Sequence, residues 1–100
     1  MTPEEKYRYC RKKHYSASYA EYWMDHTGCE ANCGREAGTP HHIRTRGSGG
    51  DDAPENLLAL CFYCHERIHH EGEKKFMSAY PHLKTKILTA HKRPRVDKNS

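Results

Sequence analysis

The chain has 100 residues and a formal net charge of +4, but only eleven residues are Leu, Ile, Val or Phe; the 35% hydrophobic content is mostly Ala, Tyr, Cys and Met. That share lies below the roughly 20% at which a charged chain is suspected of disorder, and a chain this short buries only about 60–65% of its extended surface. Apolar burial is thus excluded as the sole folding force and a staple of disulfides, metal or a partner is required, while the longest apolar run, Leu57 to Cys64, excludes a membrane span.

In chain order, Thr2-Pro3-Glu4-Glu5 predicts a capped helix reaching about His14, with Thr2 as cap, Pro3 in the first turn and Glu5 closing a capping box. Ser18-x-x-Glu21 reads as a second capping box, opening a helix that stops near Gly28. Its aromatic face (Tyr15, Tyr19, Tyr22 and Trp23) is expected to pack the interior, since aliphatics are scarce; stacking on bases is the alternative use. Cys29 to Gly38 reads as a tight loop, His41 to Arg46 as a strand, Gly47 to Asp52 as a turn-rich loop and Leu57 to Leu60 as a second strand. Phe62 to Glu71 has a helical pattern ended by Gly72, Lys84 to His91 forms another helix after Pro81, and the closing RPRVDKNS reads as disordered.

These elements divide the chain into an N-terminal helical segment (1–28), a central core (29–72) and a basic helical C-terminal extension with a disordered tail (73–100). Their formal charges are +1, −3 and +6. The basic excess at the C-terminal end, including Lys92, Arg93 and Arg95, points to a polyanionic partner, most simply nucleic acid; a solvated tail is the plain alternative.

The staple is written in the cysteines. Cys29-x3-Cys33, a 27-residue interval, then Cys61-x2-Cys64 is the spacing of a four-thiolate zinc site, each pair turning back to present two sulfurs to one tetrahedron. A structural Zn²⁺ of this kind contributes on the order of 10 kcal/mol to folding. The fifth cysteine, Cys10, has no partner at metal spacing and reads as a free thiol. The odd count and the charged N-terminus, which lacks an apolar secretion signal, suggest a reducing, cytoplasmic setting in which clustered cysteines bind metal.

Histidines form a second constellation. His41-His42 opens the first strand, and adjacent strand residues point opposite ways, so one of the two can bind metal while the other faces a substrate. His65 and His69 lie four apart on one helical face. Asn56 precedes the second strand. Arg44 and Arg46 would share the strand face of His42 and contact phosphate, with solvated strand charges as the alternative; Asp51 and Asp52 are expected to shape the loop.

The segment CEANCGREAGTPHHIRTRGSGGDDAPENLLALCFYCHERIHHEG, covering residues 29–72, resembles an HNH endonuclease of the ββα-metal class in its zinc-stapled phage and prophage form. The resemblance implies a small α+β fold: a ββα-metal core with a structural four-cysteine zinc site, flanked by N- and C-terminal helices. It further implies DNA phosphodiester hydrolysis leaving a 5′-phosphate and a 3′-hydroxyl. His42 would be the general base, a role suited to the side chain that exchanges protons near neutral pH. Asn56 would fix the loop and orient His42, and His41, His65 and His69 would hold a catalytic divalent metal, as in the His-ligated branch that includes the colicin nucleases. Many members have Asp where this chain has His41, which leaves Mg, Mn, Ni and Zn all open as the catalytic ion. His70 points about 100° away from His69 and ranks below it as a ligand. DNA is the implied partner; whether the chain acts alone or with phage packaging proteins is left open.

Two rivals accompany this reading. His65-Glu66-Arg67-Ile68-His69 is a literal H-E-x-x-H, the zinc metalloprotease motif, but the apolar content is too small to scaffold a peptide cleft and His42 and Asn56 would have no task. A non-catalytic zinc-stapled DNA-binding or phage-packaging module would use the basic extension equally well.

Overall fold

A computed structural model of the protein describes residues 1–94; of the expected disordered tail, Arg95 to Ser100 lie outside them. Helix α1 spans Pro3–Lys12. It opens with the expected capping box: the Thr2 hydroxyl accepts from the Glu5 N–H at 3.2 Å, and the Glu5 carboxylate accepts from the Thr2 N–H at 3.1 Å. His14 turns the chain through a left-handed φ of 61° into α2, Ala17–Asp25. The cap here is Ser16, not Ser18, and its hydroxyl accepts from the Tyr19 N–H at 3.3 Å. The left-handed turn at His14 brings Ser16 to the helix mouth and leaves Ser18 inside the first turn.

The sheet is a short antiparallel pair, β1 (His41–His42) and β2 (Leu57–Leu58), with His41 opposite Leu58 and His42 opposite Leu57. Both strands are shorter than their patterns suggest, because other groups capture the backbone beyond them. The Arg44 N–H goes to the Asn56 side chain at 2.8 Å, and Arg46–Ser48 coils into a 3₁₀ turn. On the other strand, the Ala59 N–H goes to the Glu30 carboxylate at 2.6 Å and the Leu60 carbonyl accepts from Gly38 at 2.9 Å. Arg44 and Arg46 therefore do not share a strand face with His42.

Helix α3, Phe62–Glu71, follows, and Gly72 ends it with φ 88° and ψ 160°. Few residues other than glycine adopt that conformation. It reverses the chain directly into α4, Glu73–Ala79, which the sequence pattern did not reveal. A 3₁₀ turn at Pro81–Leu83 leads to α5, Lys84–Lys92.

Residues 57–60 alternate between two cores, as extended chain must. Leu57 and Ala59 pack with Cys10, Tyr19, Ala20, Tyr22, Trp23 and Ala37 under the N-terminal helices. Leu58 and Leu60 pack with Ile43, Ile68, Phe76, Leu83, Ile87 and Ala90 against α3, α4 and α5. Tyr19, Tyr22 and Trp23 are buried, the packing role expected of them. The small fold with one two-stranded sheet, helices on either side and four clustered cysteines matches the architecture expected from the sequence.

Phe76 is fully buried in the second core. Phe76→Ala is expected to lower the unfolding free energy by about 3–5 kcal/mol in chemical denaturation.

Candidate active site and metal centre

The four cysteines converge where the first loop meets the mouth of α3. Asn32 (φ 60°) and Gly34 (φ 82°) fold the Cys29–Cys33 loop into a tight knuckle, and the Asn32 N–H donates to the Cys29 carbonyl at 3.0 Å. Cys61 is the N-cap of α3, its sulfur accepting from the Cys64 N–H at 3.4 Å. All four sulfurs lie within 4.8 Å of one another, and no cysteine is in a disulfide. Four thiolates on one zinc at about 2.3 Å would place their sulfurs roughly 3.8 Å apart, so the cluster fits a tetrahedral metal. The N–H of Arg35 holds the Cys33 thiol below its ordinary pKa, whereas burial pushes Cys29 and Cys64 up. Without a metal these buried thiols stay neutral; a bound cation would reverse that preference. Cys10 sits apart in the first core, its thiol also pushed up by burial.

Because Cys64 is fixed in the cluster, the next residue, His65, is fixed with it. His65 and His69 present their Nε2 atoms 3.0 Å apart on one face of α3. His41 reaches across from β1, its ring centroid 5.1 Å from that of His65 and 5.3 Å from that of His69. Ligand atoms of the three lie within 4.8 Å of one another, so a second metal can be held here. Burial, with the neighbouring His65 and His69, lowers the His41 pKa to about 3, and burial also lowers that of His65. Both imidazoles therefore keep the neutral form that a metal requires. His70 is exposed and paired with Glu66 at 3.2 Å. Glu66 thus lies beside His70, one residue round from the face of His65 and His69.

His42 points the other way from the strand, as alternation requires. Its Nε2 lies 2.7 Å from the Asp52 carboxylate, and its ring stacks on Tyr19 with centroids 5.3 Å apart and planes at 18°. Tyr19 is itself anchored by its hydroxyl, which donates to the Pro40 carbonyl at 2.7 Å, and is covered by Tyr15 at 4.1 Å. Arg46 lies over Tyr15 at 5.5 Å and is exposed. Tyr15, His41, His42, Arg46, His65 and His69 all border one open cleft of about 280 Å³.

Asn56 is 1% exposed and uses its whole amide. It accepts from the Arg44 N–H at 2.8 Å and donates to the Arg44 and Asp51 carbonyls at 2.9 and 2.8 Å. This closes the loop following His42 onto the approach to β2. Gly50 makes the closure possible: a Cβ there would sit 1.8 Å from the Arg44 carbonyl oxygen.

Arg44 and Arg93 face inward. The Arg44 guanidinium donates to the Arg93 and His91 carbonyls at 2.7 and 2.8 Å, closing the C-terminal end of α5. Arg93, expected in the disordered tail, pairs with Asp51 at 2.8 Å and Glu55 at 3.2 Å. Lys92 is exposed on the last turn of α5, and Arg95 lies outside the described residues. The contributions of Tyr19 and Asp52 to the surroundings of His42 carry no sequence signal: Asp52 reads as a loop-shaping residue, and the contact spanning residues 16, 42 and 52 leaves no periodic pattern.

Residues 28–71 match the family model for HNH endonucleases. A type IV methyl-directed restriction enzyme, EcoKMcrA, from Escherichia coli strain K12 is 39% identical over 57 residues, an alignment covering 47% of this chain and 20% of that protein. The chain thus spans about a fifth of the length of this curated relative. No solved structure matches. The resemblance noted in the sequence is borne out over the central segment, where residues 28–71 match HNH endonucleases.

The 1.8 Å approach at Gly50 gives a direct test of the loop closure. Gly50→Ala is expected to lower the unfolding free energy by about 1–3 kcal/mol, as overpacking does, with the loss visible in thermal melts.

Proposed function

We propose that this chain is a divalent-metal-dependent endonuclease that hydrolyses DNA phosphodiester bonds with His42 as general base. The observation that carries the reading is the convergence of His41, His65 and His69 on one edge of a cleft whose adjoining wall holds His42. The match of residues 28–71 to HNH endonucleases and the likeness to a restriction enzyme support it.

In this reading Cys29, Cys33, Cys61 and Cys64 hold a structural Zn²⁺, and His41, His65 and His69 hold the catalytic ion, whether Mg, Mn, Ni or Zn. A divalent ion on the three imidazoles supplies Lewis-acid polarisation of the scissile phosphate and stabilisation of the leaving oxygen. His42 takes a proton from the attacking water, and its placement beside the triad lets the water and the phosphate meet in one cleft. Asn56 keeps the loop after His42 closed, so that the base is held and does not have to be found at each turnover. Arg46, exposed at the cleft, pairs with a phosphate oxygen of the bound strand.

Supercoiled-plasmid cleavage with and without added divalent metal tests the assignment. His42→Ala is expected to lose cleavage by about 10²–10⁴-fold with DNA binding retained, and undiminished nicking by that variant would refute the role of His42. Glu66→Gln is expected to leave nicking within two-fold, whereas a metalloprotease would be inactivated by it. Metal analysis should find about one zinc per chain surviving mild chelation, and Cys61→Ser should fail to fold; a metal-free, disulfide-bonded protein would overturn the staple. Arg46→Gln should reduce the log–log salt slope of DNA binding by roughly 0.9, the value of one phosphate contact.

A further inference from the structure

The Asp52 carboxylate joins two distant parts of the chain. One oxygen lies 2.7 Å from His42 Nε2, and the other accepts the backbone N–H of Ser16 at 3.0 Å. The His42 and Asp52 side chains are only 13% and 14% exposed, so water competes weakly for either partner. Asp52 belongs to neither of the two clusters able to hold a metal. An ionised carboxylate only accepts hydrogen bonds, so this contact requires the proton of a neutral His42 to sit on Nε2. The lone pair then lies on Nδ1, for which the described residues provide no hydrogen-bond partner.

We propose that Asp52 is a positioning residue for His42, selecting the Nε2–H tautomer and aiming the Nδ1 lone pair at the attacking water. Ser16 holds Asp52 through a backbone N–H, and Tyr19, one helical turn on, fixes the plane of the His42 ring. The start of α2 is thereby part of the apparatus that orients the base, although it lies outside residues 28–71 that match HNH endonucleases. The inference rests on the reading of His42 as general base and adds the group that sets its tautomer.

Asp52→Asn is the decisive variant because it keeps the shape and removes the acceptor-only chemistry. An amide can accept from Ser16 with its oxygen while its nitrogen donates to His42 Nε2, which moves the imidazole proton to Nδ1. The full chain, zinc-loaded, is compared as wild type, Asp52→Asn, Asp52→Ala and His42→Ala in plasmid nicking at saturating divalent metal. Imidazole ¹⁵N spectra of the same proteins report which nitrogen carries the proton.

In Asp52→Asn, kcat should fall about 10²–10⁴-fold with KM within two-fold, zinc content and melting temperature should be kept, and the His42 proton should move from Nε2 to Nδ1. Asp52→Ala should lose kcat as well and give a mixed tautomer signal. An active Asp52→Asn, with kcat within two-fold of wild type while His42→Ala is dead, would overturn the positioning role and leave the general base in place. A wild-type His42 protonated on Nδ1 would overturn it equally. Equal nicking by wild type and His42→Ala would instead remove the base on which the inference rests.

Discussion

The gathering of four thiols at the mouth of α3 is the constraint on which the rest of the molecule depends. Of the eleven Leu, Ile, Val and Phe side chains, eight are buried, and they are divided between two small cores on opposite sides of residues 57–60. Neither core is large enough to order a 100-residue chain by apolar burial alone. The sulfur cluster joins the Cys29–Cys33 knuckle to the start of α3, and therefore joins the segment leading to β1 with the helix leading away from β2. It also fixes the rotation of α3 about its axis. Since Cys64 must point into the cluster, His65 lies one residue round, and His69 one turn further along shares its face. The geometry of the histidine triad is thus inherited from the thiols.

A second set of restraints, made entirely of hydrogen bonds, holds the other wall of the cleft. The loop between β1 and β2 has little apolar content of its own, and three polar devices close it. Asn56 uses its amide on the backbone of Arg44 and Asp51, Gly50 admits the close approach to Arg44, and Arg93 pairs with Asp51 and Glu55 from the end of α5. Arg44 returns the contact by satisfying two carbonyls at the C-terminal end of α5. Loop and helix stabilise each other. No side-chain N or O atom buried among the described residues lacks a partner, which a closure built this way requires.

What was legible in the sequence was local. Thr2, Pro3 and Glu5 announce α1 because capping acts within four residues, and the cysteine spacing announces the cluster because each pair closes a tight turn. The opposite directions of His41 and His42 follow from extended geometry alone. The strand lengths were not legible, because Asn56, Glu30 and Gly38 take backbone groups that a strand pattern assigns to the ladder. Helix α4 was hidden behind Gly72, whose left-handed φ both ends α3 and starts the next helix. Asp52 was read as a loop residue because nothing in its neighbours predicts Ser16 and His42, 36 and 10 residues away, on its two oxygens.

The distribution of charge gains a different meaning in three dimensions. The C-terminal segment carries a formal +6, and as a sequence this reads as a free basic surface. In the fold, Lys86 lies 3.8 Å from Glu30 and 2.6 Å from the Tyr22 hydroxyl, while Arg93 neutralises Asp51 and Glu55. Arg44, from the central segment, is directed onto backbone carbonyls. Lys86 ties α5 to α2 and the cysteine knuckle, Arg44 and Arg93 tie it to the loop, and Arg46 is the arginine that borders the cleft. His41 and His65 of the triad favour the uncharged form, because burial lowers the pKa of both. Under the proposed function, a phosphodiester entering this cleft would meet positive charge on Arg46 and on an ion at the triad. On this account binding and chemistry depend on the same centre, and the basic extension contributes to the site first by holding its wall in place.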